Sequence, residues 1–530
     1  MLKNRKLKFM CLILIILIGF TIGLYYNKNT KEELVVPKCV DCNVILIDLS
    51  NVRSDHLSCY GYFRNTSQNI DDLARDGVVF KNAFSQSCYP LPSVMSMFTS
   101  LYPSSYKVDQ EHKLNPSIAT LPQILKFYNY TTVWIGPIDD PNFPLENGVG
   151  RGFEKYYYAC VSVFSPQVIY WTDALNWLEN NANKTKFFMY LHSYRSQPPY
   201  VPSDEVIKKF TNKINPRIIS SYEKLMEVAW KKIDNDPSLI FKKEAIEKNS
   251  EIFNMNYSYE KKLKMFELNK NSANIKYPIW NFLVHDVLFN SINVSSPEDV
   301  EYLRVLYDAT IFESDLDVKH IVEKIDETGV RNKTIIIITS DHGEELVEHG
   351  HICVLHKNSL QEEAIAPRGG SLYEEAIHTP LIFALPNFKL DKPVEGLVQG
   401  IDIMPTVLDL LNITIPAQAQ GISLLPMIEN REDAPRNEYV YGVTKTDKVS
   451  IRSKEWKYIV DLRKNQTELY DLINDPGETN NLVTIRKDVA KMFEQELEKF
   501  LERTSYPKTA EFPIWVGNET KDRIEKEGYW

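Results

Sequence analysis

Cysteine is scarce in this chain, with seven in 530 residues, at positions 11, 39, 42, 59, 88, 160 and 353. That is too few for a scaffold built on disulfides. Cys39-Val-Asp-Cys42 is a close pair, but no second Cys-x-x-Cys accompanies it, so a local disulfide is expected rather than half of a zinc site. Positive charge is also in deficit. The 61 Lys and Arg against 71 Asp and Glu leave a net charge of −10. No basic stripe with interleaved aromatics occurs, which argues against a nucleic-acid partner. Long uncharged apolar runs are missing from the body of the chain, and the exception is Phe9 to Tyr26, preceded by Lys3, Arg5, Lys6 and Lys8. At ~1.5 Å per helical residue that run is about long enough to cross a bilayer. The basic residues before it predict a cytoplasmic N-terminus and an extracytoplasmic main domain. A small-x-small cleavage signal after the run is lacking, so an uncleaved single-pass anchor is expected, with a secreted, cleaved form as the alternative.

What remains is organised around Thr334-Ile-Ile-Ile-Ile-Thr-Ser-Asp-His-Gly-Glu-Glu-Leu-Val-Glu-His-Gly350. The isoleucine run predicts a strand buried on both faces, as in a parallel sheet. Asp341 and His342 fall at its carboxyl end, where open α/β sheets place ligands, and their donor atoms suit a divalent metal. Glu344, Glu345 and Glu348 read as a solvated helix start.

Further buried strands are expected at Asn43–Ser50, Thr131–Gly136, Phe187–His192 and Leu381–Leu385. Helices are expected at Asn69–Gly77, Val94–Leu101, Tyr170–Asn180, Glu301–Asp326, Ile401–Leu411 and Arg486–Arg503. Strands alternating with helices predict an α/β fold with a central, mostly parallel sheet flanked by helices. From about Ile415 the short strand-like pieces predict a small C-terminal α+β subdomain. The expected layout is a cytoplasmic tail (1–8), the anchor (9–26), a stalk (27–42), the α/β domain (43–414), the C-terminal subdomain (415–505) and a tail (506–530). Residues 203–298, lysine-rich and helical in pattern, read as an insertion.

Five segments carry a resemblance. They are Asp55-His-Leu-Ser-Cys-Tyr-Gly-Tyr62, Leu91-Pro-Ser-Val-Met-Ser-Met-Phe-Thr-Ser-Leu-Tyr-Pro-Ser104, Ser340-Asp-His-Gly-Glu-Glu-Leu-Val-Glu-His-Gly350, Ser371-Leu-Tyr-Glu-Glu-Ala-Ile-His-Thr-Pro-Leu-Ile382 and Glu468-Leu-Tyr-Asp-Leu-Ile-Asn-Asp-Pro-Gly-Glu-Thr-Asn-Asn-Leu482. In this order they resemble the sulfatase family of the alkaline-phosphatase-like superfamily, from about Asn43 to Arg503. The resemblance implies hydrolysis of a sulfate or phosphate ester. A divalent cation, calcium first and magnesium or zinc next, screens the ester oxygens, and a formylglycine, Thr or Ser attacks as nucleophile.

Carried over position by position, the resemblance is incomplete. Asp341 and His342 match two metal ligands. The ligand Asp of the first strand falls on Ser50, with Asp48 two residues earlier and, in a regular strand, about 6.6 Å back. The nucleophile falls on Pro90, which has no reactive atom, while Cys88 begins a Cys-x-Pro. The arginine of the nucleophile motif falls on Val94. Gln197 stands where a histidine is expected to hold ester oxygens, and His192 reads as structural. Of His351, His356 and His378, His356 is the preferred completing histidine. Two readings follow: an impaired or inactive pseudo-hydrolase that binds a surface ligand, or an active hydrolase whose site is shifted by two residues onto Asp48 and Cys88.

Overall fold

Val44 and Leu46 pack into one hydrophobic core and Ile45, Ile47 and Leu49 into another, so alternate side chains of one strand serve both faces of a sheet. This strand, β1 (Asn43–Leu49), is buried at every position. The computed structural model describes residues 34–106, 113–136, 145–158, 171–198, 200–218, 291–349, 370–444 and 448–504, with isolated positions at 227, 228, 231 and 235. The anchor run 9–26, most of 203–298, His351, His356 and the tail after 504 lie outside the described residues. Among the described residues no helix is long and apolar enough to cross a membrane.

In chain order the remaining strands of the large sheet are β2 (Val78–Phe84), β3 (Thr131–Gly136), β4 (Lys155–Tyr158), β5 (Phe187–Ser193), β6 (Thr334–Thr339), β7 (His378–Ala384) and β8 (Val394–Gln399). They pair in the order β4-β3-β5-β1-β6-β7-β2-β8. All run parallel except β7, which is antiparallel to both β6 and β2. A second sheet, β12-β11-β10-β9, is antiparallel and built from β9 (Val440–Val443), β10 (Lys448–Arg452), β11 (Trp456–Asp461) and β12 (Gln466–Asp471). The helix Lys487–Thr504 covers it with Val489, Phe493, Leu497 and Phe500. The expected fold class is therefore the one observed: a large, mostly parallel sheet with helices on its faces and a small α+β subdomain.

Several boundaries move, and each has a local cause. The helix after β2 begins at Pro90, four residues before the expected Val94, because proline with its fixed φ is well suited to a first helical turn. The helix expected to start at Glu301 starts at Pro297, where the Ser296 side chain accepts from Asp299 N–H. β2, β4 and β8 were not read from the sequence, since lysine, glutamate and glycine interrupt their apolar patterns. Glu344 and Glu345 do not open a solvated helix. Among the described residues, Leu346–His349 form no helix after them, and both side chains are buried. Cys39 and Cys42 form the expected disulfide.

One buried ionic contact holds the loop after β1 in place. Asp308, fully buried on the helix Pro297–Glu327, meets His56 Nδ1 at 2.6 Å, and it accepts from Tyr62 Oη at 2.8 Å and Arg64 Nη1 at 2.5 Å. Asp308→Asn keeps the shape but removes the charge that Arg64 faces, and is expected to cost about 2 kcal/mol. Denaturant unfolding of the variant beside the wild type checks this.

Candidate active site at the strand ends

β5, β1 and β6 are neighbours in register, Asp48 lying opposite His192 on one side and Thr339 on the other. Their carboxyl ends therefore bring Asp48, His192 and the Ser340-Asp341-His342 exit together. Asp48, His192 and Asp341 each offer a ligand atom, all within 4.8 Å of one another, and all three are buried. The strand does not slip: β1 pairs regularly from Asn43 to Leu49. Asp48 reaches the site because the β6 exit folds back over it, Asp341 N–H donating to Asp48 Oδ1 at 2.8 Å.

The Asp48 carboxylate is well supplied with partners. Tyr190 Oη donates to Oδ2 at 2.6 Å, and His192 Nδ1 lies 3.0 Å from the same oxygen. Burial, and then the Asp341 charge, hold the Asp48 carboxyl above the usual carboxylate range, against the opposing pull of His192 and Tyr190. Tyr190 is pushed well above an ordinary phenol by burial and by Asp48, so it acts as a donor. It was missed from the sequence, although it shares a strand face with His192 by period two.

Around Asp341 the neutral side chains of Ser50 and Gln197 meet each other. Ser50 Oγ donates to Asp341 Oδ2 at 3.1 Å, and Gln197 Nε2 donates to Ser50 Oγ at 3.0 Å. Asp341 Oδ1 accepts from His342 N–H at 2.8 Å and Asn51 N–H at 3.3 Å. The Asn51 side-chain amide donates to Glu344. His342 Nδ1 lies 2.7 Å from the Gly343 carbonyl oxygen and so donates to it, which leaves Nε2 as the basic nitrogen, 3.7 Å from Asp341 Oδ2. Asp48, Ser50, Gln197, Asp341 and His342 thus converge.

Cys88 and Pro90 sit differently. Pro90 is the first residue of its helix, following Tyr89 in extended conformation. Cys88 is buried in an apolar cluster with Phe84, Leu372, Ala376, Ile377 and Val440, under the small sheet. Burial, and then the Glu345 charge, push its thiol up to about 12. Of the hydroxyls near it in sequence, Ser85 Oγ donates to Ser87 O at 2.8 Å and Ser93 Oγ donates to Tyr89 O at 2.8 Å, while the buried Ser87 Oγ has no hydrogen-bond partner among the described residues. His378 opens β7, with Nε2 2.8 Å from the Lys81 carbonyl oxygen and its ring stacked on Phe84.

Three cations among the described residues are paired. Arg53 is buried against Asp55 at 2.8 Å and Glu348 at 2.6 Å, Arg195 is paired with Asp317 and Glu313, and Lys457 lies 2.8 Å from Glu374.

A family model described as Sulfatase matches residues 42–413, and one described as N-sulphoglucosamine sulphohydrolase, C-terminal, matches residues 370–505. N-acetylglucosamine-6-O-sulfatase of Bacteroides thetaiotaomicron is 24% identical over 515 residues, 89% of this chain and 87% of that protein. Arylsulfatase K of Mus musculus is 28% identical over 260 residues, and the match spans 44% of this chain but only 43% of that protein. The solved phosphonate monoester hydrolase of Agrobacterium radiobacter superposes with a TM-score of 0.63 at 18% identity, covering 87% of this chain and 96% of that one. A structure in complex with its substrate D-glucosamine-2-N,6-O-disulfate superposes at 0.61 and 21% identity, covering 87% and 97%. The structural likenesses agree with the fold, a large, mostly parallel sheet with a small C-terminal one. With the family match spanning both the large sheet and the site, this chain belongs to the sulfatase family.

Proposed function

We propose that this chain is an extracytoplasmic sulfatase-family protein, anchored through residues 9–26, that binds a sulfate or phosphate ester without hydrolysing it. The observation that carries this reading is the start of the helix Pro90–Thr99. Its first residue, at the family's nucleophile position, is a proline. The thiol two residues upstream, Cys88, is packed among apolar side chains and pushed up to about 12, which leaves almost no thiolate near neutral pH. A nucleophile must be both ionisable and able to reach the ester.

The ligand class follows from relatives that act on sulfated glucosamine and from a site that needs a cation. Bringing an anionic ester beside Asp48 and Asp341 is repulsive, and Arg53, Arg195 and Lys457 are already neutralised by carboxylates. A divalent ion supplies the missing charge. Asp48, His192, Asp341 and His342 would hold it, with Ser50 and Gln197 as neutral neighbours. With imidazoles among the donors and only two carboxylates, zinc suits the set better than calcium, which takes six to eight oxygens. When bound, the ion would polarise and screen the ester oxygens. The described residues of the site would orient the anion, and at the family's nucleophile position neither Pro90 nor the buried Cys88 thiol is set to attack it.

The test is a turnover assay with aryl sulfate, aryl phosphate and 6-O-sulfated glucosamine, beside metal analysis of the wild type and Asp341→Ala. The expected result is about one divalent ion per chain lost with Asp341→Ala, and no turnover above a Cys88→Ala control. Turnover abolished by Cys88→Ala would sink the binding reading. It would favour the two-residue-shifted hydrolase, of which the convergence of Asp48 with Asp341 is the supporting half.

A further inference from the structure

A second group of metal-ligating side chains lies outside this site. Glu345 and His349 come from the segment after β6, and Glu375 from the short helix Glu374–Ile377. Each offers one ligand atom, and these lie within 4.8 Å of one another. His349 Nδ1 and Glu375 Oε1 are 2.6 Å apart. Two backbone hydrogen bonds, Gly343 N–H to Ala376 O and Glu344 N–H to Glu375 O, both 2.9 Å, pin the two segments together.

We propose that Glu345, His349 and Glu375 form a second divalent-cation site, of zinc class, at the seam between the large sheet and the C-terminal subdomain.

Three independent features support it. The first is the orientation of the imidazole. His349 Nε2 lies 3.3 Å from the backbone carbonyl oxygen of Glu478, in the C-terminal subdomain, and its ring stacks on Tyr373 at 3.6 Å and 11°. A carbonyl on one ring nitrogen fixes the tautomer that turns the other nitrogen toward a metal, as outer partners of metal-bound histidines do. The second is charge. Two buried carboxylates share a single imidazole, and excess buried negative charge requires a proton or a cation between the groups. The third is donor chemistry. One imidazole with two carboxylates suits zinc, which binds nitrogen and oxygen at about 2.0–2.2 Å. Zinc in place of the proton between Nδ1 and Oε1 requires a small opening of that contact and an approach of Glu345. Water completes a four-coordinate shell.

The surroundings fit a structural role. Glu374 accepts from Arg452 and pairs with Lys457, which in turn lies 2.9 Å from Glu478, so the same short helix is bound to β10, β11 and the turn at Glu478. A cation on Glu375 and His349 would add a link between that seam and the β6 exit.

The experiment is zinc analysis of the purified full chain as wild type, Asp341→Asn, His349→Gln and the double variant. His349→Gln is expected to remove one zinc per chain whether or not the first site is filled, and Asp341→Asn to leave that zinc in place. Unchanged zinc stoichiometry in a folded His349→Gln protein would overturn the proposal. If His349→Gln does not fold, zinc-edge X-ray absorption of Asp341→Asn decides. One imidazole with oxygen ligands supports the site, and no bound zinc, or a shell without imidazole, overturns it. Loss of zinc with Asp341→Asn but not with His349→Gln would support the first site alone.

Discussion

Raising the pH from 4 to 7 is expected to cost the folded chain on the order of 4 kcal/mol through Asp402 alone. Asp402 is fully buried at the turn before the helix Ile403–Leu410, and burial pushes its carboxyl from 3.8 up to about 7. The folded chain then keeps a proton that the unfolded chain has released, so the unfolded state binds fewer protons and stability falls as pH rises through this window. Below about 4 both states are protonated, and above about 7 both are ionised, so the loss is confined between them. Asp402 accepts from Gln399 N–H and Ile422 N–H, both at 2.8 Å, and from Asn437 Nδ2 at 2.9 Å. These donors favour the ionised form, and burial outweighs them. Asp402→Asn is therefore expected to be less stable at pH 4, where those bonds are disturbed, yet much flatter with pH. Asp315, raised to about 6 by burial, contributes with the same sign in both proteins, so the difference in slope is the readout. Unfolding by denaturant at pH 4, 5.5 and 7 measures it, and parallel curves for variant and wild type would remove Asp402 as the source.

The large sheet was legible because its central strands are read twice: once by their uninterrupted apolar run, and again by the polar residues at their carboxyl ends. The isoleucine run forms β6 from Thr334 to Thr339, and Asp341 and His342 leave it toward the site. The edge strands were not legible, since β4 and β8 expose residues to solvent and carry no continuous run. Single residues around the site failed for a different reason. Asp48 looked too far back along a regular strand, which is true of the strand but not of the loop that crosses it. Asp341 N–H comes to Asp48, and no change of β1 register is needed. Glu344 and Glu345 looked solvated because acidic residues usually are. Here Glu344 is bound by Asn51, and Glu345 faces the Glu375–His349 pair. No local pattern encodes that, because the partners come from distant segments.

Ser50 and Gln197, the departures from the family pattern expected from the sequence, also acquire a physical meaning together. Read along the sequence they are two separate losses. In the fold, Gln197 donates to Ser50, and Ser50 donates to Asp341. Where the family resemblance implies a carboxylate and a histidine, a neutral pair hydrogen-bonds the remaining acid. On the proposed reading the site would depend less on a cation for its stability than one with a third carboxylate, and Asp48, held by Tyr190 and His192, would supply the second.

Placing an acid at position 50 should have the opposite effect. Ser50→Asp places a carboxylate where a hydroxyl now lies 3.1 Å from Asp341 Oδ2, with Asp48 also nearby. Two carboxylates that close cannot both be ionised without a counter-charge. In the presence of a chelator the variant is expected to lose about 3 kcal/mol of stability, the lower end of what an uncompensated buried charge costs. Part of that loss will be relieved at acidic pH, where one carboxyl is protonated. A divalent ion supplies the counter-charge directly, and a ligand held at about 1,000 times its dissociation constant returns about 4 kcal/mol. Zinc, magnesium or calcium should therefore stabilise Ser50→Asp strongly and the wild type much less. Thermal and denaturant unfolding of both proteins, with and without each ion, tests this. Cation rescue confined to the variant would mean that a serine at position 50 makes a weaker cation site than an aspartate there. Failure of every ion to rescue a folded Ser50→Asp protein would mean that position 50 does not face the cation, and the assignment of Asp48 and Asp341 to one site would fall with it.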